Sequence, residues 1–86
     1  MEISFSNAFR KEYRKLPDKL RNRVDERVIL FANNPFDVSL KNHELKGKYE
    51  GYRSINITGD LRVHYYVLEK NTALFVKLGT HSELYS

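Results

Sequence analysis

Eighty-six residues suffice for one domain with a small core, and they exclude two independent folds. A hydrophobic content of 41% against 30% charged residues marks the chain as globular rather than disordered, and the lack of cysteine removes disulfides, thiolate metal sites and cysteine nucleophiles. The formal charge of +4 permits a polyanionic partner, and with neither a leader-like N-terminal segment nor an apolar span of membrane length, a soluble cytoplasmic protein is expected, with no membrane partner.

Residues 2–5, EISF, alternate polar and apolar and predict a short opening strand, after which Ser6 or Asn7 caps a helix carrying Phe9, Tyr13 and Leu16 on one stripe. Pro17 fits the first turn of a second helix, where its missing N–H costs nothing, and Asp18 suits the positive end of the dipole. Leu20, Val24, Val28 and Phe31 continue at helical spacing until Asn33, Asn34 and Pro35 stop the run. The two helices form a hairpin. Residues 10–27 carry the whole excess charge, eight cations against four anions, in a pattern that suits a solvated helix face as well as a binding site.

Residues 36–50 are polar and basic and read as a loop. Three strands rich in β-branched and aromatic residues follow, at 52–57, 61–69 and 72–80, joined by turns at 58–60 and 70–71. Such short connections make an antiparallel meander, so the fold class is α+β, a single domain over 1–86 with the helices packed on one face of the sheet. Alternation sends Ile55, Ile57, Leu61, Val63, Tyr65 and Val67 to one face. In the last strand it sets Leu74, Val76 and Leu78 against Phe75 and Lys77. The face away from the helices collects Asn56, Arg62, His64, Tyr66 and Lys77. Beside it the stretch KNHELKGKYEGYR interleaves Lys41, His43, Lys46, Lys48 and Arg53 with Tyr49 and Tyr52. Cations to neutralise phosphates and rings to stack on unpaired bases suit single-stranded RNA; the plainer reading is a solubilising loop whose tyrosines pack on the sheet edge.

From His43 to Tyr85 the motifs NHELKG, GYR, GDLRVHYYV and LGTHSELY resemble the RelE/StbE-type toxins of bacterial type II toxin–antitoxin systems, in their YafQ-like branch, within the RelE/ParE superfamily. The resemblance implies a strand, a helical hairpin and an antiparallel sheet. It also implies a metal-independent endoribonuclease that cuts mRNA in the ribosomal A site, against 16S rRNA, and is silenced by a protein antitoxin. By the same resemblance His81, His43 and Asp60 belong to the catalytic set, Lys77 stands where an arginine is usual, and Tyr85 stacks on a base. Lys46, Lys48, Arg53 and Arg62 would contact RNA, the two arginines restoring the bidentate fork that lysine lacks. Departures are Asn56 in place of a histidine and Leu61 in place of a tryptophan.

Cleavage at a ribose requires the 2′-hydroxyl to lose a proton, attack phosphorus and expel the 5′-oxygen, and histidine suits both proton transfers because its ordinary pKa is about 6.5. His81 is the first choice as general acid or base, and Asp60 would orient or deprotonate, or simply form a turn. His64 either replaces the missing imidazole or packs among tyrosines. No cofactor is expected, since the three histidines match no compact ligand spacing. Two other readings stand beside the nuclease: a ParE-like gyrase inhibitor without an active site, and an inactivated toxin that only binds antitoxin.

Overall fold

A computed structural model describes residues 1–85. Strand β1, Glu2–Phe5, pairs in parallel with β5, Thr72–Thr80, from Glu2 opposite Thr72 to Phe5 opposite Phe75. Ser6 then ends the strand and caps α1, Asn7–Lys15: its Oγ accepts the Phe9 N–H at 3.0 Å and donates to the Val76 carbonyl at 2.6 Å. One hydroxyl therefore starts the helix and pins it to β5. Helix α2, Asp18–Asn33, begins after Pro17, which occupies the cap position rather than the first turn; its carbonyl accepts from Leu20 and Arg21, both at 3.0 Å. The hairpin is closed across its polar side by Tyr13, whose hydroxyl donates to Asp25 at 2.7 Å.

Residues 36–50, expected to be a loop, are more ordered than that. They hold 3-10 turns at Val38–Leu40 and Gly47–Tyr49 around a two-residue strand β2, His43–Glu44. Strand β2 pairs antiparallel with β3, Arg53–Asn56, which continues into β4, Leu61–Glu69, and β5. The sheet order is β1-β5-β4-β3-β2, so the expected three-strand meander is extended at both edges. Helix α3, His81–Tyr85, follows β5 directly, where only the end of a strand was expected.

Phe9, Val24 and Phe31 from the helices pack on Ile55, Ile57, Leu61, Val63, Tyr65, Ala73, Phe75 and Leu78 of the sheet. Phe31 meets Tyr65 and Phe75 edge-on, with centroids 4.9 and 5.1 Å apart. Strict alternation in β5 fails here. His64 pairs with Lys77 while the next residue, Tyr65, pairs with Phe75, leaving Val76 as a bulge. Phe75 and Leu78 consequently share the helix side, whereas simple alternation had opposed them. A second irregularity near Glu69 accompanies the emergence of Val67, expected in the core, to 49% exposure. Among the described residues no helix is long and apolar enough to cross a membrane.

Candidate functional site

Register builds the site. On the face away from the helices, His43 of β2, Ser54 of β3, His64 of β4 and Lys77 of β5 stand directly opposite one another in turn, forming one row across four strands. The neighbouring row is Asn56, Arg62 and Gly79. A Cβ on Gly79 would lie 3.3 Å from both Glu83 and Leu84, so the bare backbone there lets α3 lie close against the sheet.

Five residues are too few for a helix to persist alone. Thr80 and Glu83 supply reciprocal caps: the Thr80 N–H donates to Glu83 Oε1 at 2.7 Å and the Glu83 N–H to Thr80 Oγ1 at 3.2 Å. The bond from the Thr80 backbone holds the Glu83 carboxyl below its ordinary pKa. Buried Leu84 fixes the other side of the helix. His81, exposed at the start of α3, donates its backbone N–H to the Asp60 carbonyl at 3.1 Å, and its ring lies 4.6 Å from that of Tyr85. The structure thus brings His81, Asp60 and Tyr85 to one end of the face, beside the row containing His43 and Lys77.

His43 Nδ1 is 2.8 Å from the Lys41 carbonyl. A carbonyl only accepts, so the neutral ring carries its proton on Nδ1 and presents a free lone pair on Nε2. Arg62 reaches the Gly59 carbonyl at 3.4 Å, toward the turn that bears Asp60. Lys46 and Lys48 are exposed at the 47–49 turn. Arg53 is not brought to this face. It pairs with Tyr65 on the helix side, donates to Asn42 at 2.8 Å, meets Glu44 at 3.4 Å and lies 5.2 Å over Phe36.

His64 is fully buried, between the rings of Tyr49 and Tyr85 at 5.0 and 5.2 Å. Burial first, then the charges of Lys77, His43, Arg62 and His81, push its pKa down to about 4. It packs as a neutral ring. Sequence reasoning offered Tyr49 as a ring that stacks on a base or packs on the sheet edge, but missed its tie to α3. Its ring sits 5.2 Å beneath the Lys77 ammonium and its hydroxyl donates to the Leu84 carbonyl at 2.7 Å, tying the 47–49 turn to α3. Its position between two glycines, in GKYEG, was the available signal. Among the described residues no three of His, Cys, Asp or Glu converge as metal ligands would. Exposed acid–base groups, cations and stacking rings on one surface can bind a phosphodiester and move protons around it.

A family model described as a bacterial toxin of type II toxin–antitoxin system, YafQ, matches residues 1–86. Among solved structures, YafQ from E. coli strain BL21(DE3) is 27% identical, with 99% of this chain and 98% of that one covered and a TM-score of 0.78. The E. coli DinJ–YafQ toxin–antitoxin complex matches at 25% identity over 99% and 97%, with a TM-score of 0.73. A YoeB/ParE toxin from Agrobacterium tumefaciens, 20% identical over 94% and 99%, shares the fold with a TM-score of 0.79. A search of curated proteins by sequence finds no match.

Proposed function

The chain belongs to the YafQ family of bacterial type II toxin–antitoxin toxins, and from that premise we propose that it is a ribosome-dependent endoribonuclease that cuts mRNA in the A site. The observation that carries this reading is His81, exposed, joined through its backbone to Asp60 and with its ring tilted against that of Tyr85, at the edge of a cationic sheet face.

His43, with its Nε2 lone pair free, takes the proton of the ribose 2′-hydroxyl. The oxygen attacks the adjacent phosphorus, the bond to the 5′-oxygen breaks, and His81 returns a proton to that leaving oxygen. The products carry a 2′,3′-cyclic phosphate and a 5′-hydroxyl. Lys77 and Arg62 stabilise the charge of the pentacoordinate phosphorus, Asp60 orients the reacting end of the face, and Tyr85 holds a base by stacking. No metal is needed for these steps. Lys46 and Lys48 meet the RNA backbone near the 47–49 turn. A cognate antitoxin is the protein partner, as in the DinJ–YafQ complex, and the basic excess on α1 and α2 suits either an acidic antitoxin or 16S rRNA. The site of action is the cytoplasm.

Induction in cells of the wild type beside His81→Ala tests the reading. Growth arrest with transcripts cut inside translated frames, both lost in the variant, is expected. Loss of supercoiling with whole transcripts would replace the nuclease with a gyrase inhibitor.

A further inference from the structure

Under Tyr49 and on the strand beside it the sheet buries polar groups that find no hydrogen-bond partner among the described residues: both ring nitrogens of His64, and Ser54 Oγ directly opposite, on residues with 0% exposure. Asn56 Oδ1 and Arg62 Nε in the neighbouring row share this condition. Buried polar groups without partners cost stability, and apolar residues of the same shape would be cheaper, so such a row asks for a ligand that completes it. The ring of Tyr49 covers His64 from a short 3-10 turn. Gly47 and Gly51 both hold positive φ, +68° and +92°, on either side of Tyr49, while the Leu45 N–H to Tyr52 carbonyl bond at 2.9 Å closes the stem of the loop. The Tyr49 hydroxyl is strapped to the Leu84 carbonyl at 2.7 Å.

We infer that residues 47–51 form a hinged flap, and that His64 beneath Tyr49, with Ser54 opposite it on the adjacent strand, is a recognition pocket for one unpaired nucleobase, an inference that rests on the RNA-cleaving function proposed above. A flat heteroaromatic ring of tyrosine width already fits between His64, Tyr85 and the Lys77 ammonium, because the Tyr49 ring is there. When the flap lifts, a base takes that place. The neutral imidazole offers one donor and one acceptor, and the serine hydroxyl on the adjacent strand offers both, so together they read the hydrogen-bonding edge of the base. Tyr85 meets the base edge-on, as it meets the Tyr49 ring, and the Lys77 ammonium lies over its face. Asn56 and Arg62 extend the reading edge toward the next nucleotide.

The test measures affinity for ribosomes programmed with four A-site codons that differ at one base and carry a 2′-O-methyl group to prevent cleavage. Wild-type protein should separate the four by roughly tenfold or more, the worth of about one hydrogen bond. His64→Phe keeps the ring's shape without its nitrogens; it should keep a urea midpoint at least equal to wild type at pH 7.5 while the four affinities converge. Ser54→Ala gives the same readout by a smaller change. Tyr49→Phe, which cuts only the strap, should tighten binding to all four codons several-fold. A wild-type spread retained in both His64→Phe and Ser54→Ala overturns the pocket, as does equal wild-type affinity for every base. Unchanged or weaker binding by Tyr49→Phe overturns the flap. Absence of any wild-type binding to programmed ribosomes would instead remove the A-site function itself, and the pocket with it.

Discussion

Acidification should destabilise this protein through His64. The ring ionises near pH 4 in the folded chain and near 6.5 once unfolded. Between those values the unfolded chain binds the extra proton, so the contribution is fully present above pH 6.5 and is lost as pH falls toward 4. The full difference is about 3 kcal/mol at 1.36 kcal/mol per pKa unit, and about 2 kcal/mol of it is gone by pH 5. A domain of this size holds only about 4–13 kcal/mol in all, so the loss is large. Urea unfolding at pH 7.5, 6.5, 5.5 and 5.0 would read it as a midpoint falling by about 1 M for a denaturant slope near 2 kcal/mol per M. His64→Phe is the control, since it removes the titrating group and keeps the packing. Glu83 and Asp37, whose carboxyls are held low by bonds from Thr80 and Ser39, add their own acid sensitivity at lower pH, mostly outside this window. Parallel pH profiles for wild type and His64→Phe would refute the reasoning.

Thr80→Ala removes one half of the reciprocal cap on α3 and should cost about 1 kcal/mol. Glu83→Gln, which can still accept from the Thr80 N–H, should cost less; backbone amide shifts in residues 80–85, read by NMR alongside growth arrest, would show whether the cap positions His81. Phe31→Ala empties the contact between α2 and the sheet at a residue with 0% exposure. A loss of about 3–5 kcal/mol in urea is expected; a loss under about 1 kcal/mol would mean that the core is not organised around that ring.

The order of elements was legible because each carried a strong local signal: Ser6 before an apolar stripe, the Asn33-Asn34-Pro35 stop, and β-branched runs between turn residues. What escaped had non-local causes. Strand β2 has two residues and exists only because β3 lies beside it, so no periodicity could announce it. The Val76 bulge is a property of the β4–β5 pairing, and it reversed the facing of Phe75. Arg53 was readable in principle: the alternation that sends Ile55 into the core sends Arg53 to the same side, away from His64. Helix α3 was readable too, since Thr80-His81-Ser82-Glu83 has the spacing of a capping box. Of the expected site, His81, Asp60 and Tyr85 stood in one motif or one turn, whereas the alignment of His43, His64 and Lys77 required a register that only the folded sheet supplies.

The parallel pairing of β1 with β5 also governs how the molecule comes into being. Strand β1 has no partner until residues 72–75 exist, and the hairpin of α1 and α2 meanwhile has only part of the surface it covers. Such high contact order predicts slow, late acquisition of structure. A growing polypeptide would thus stay inert through most of its translation, becoming harmful only after the strand that unites its two halves has emerged.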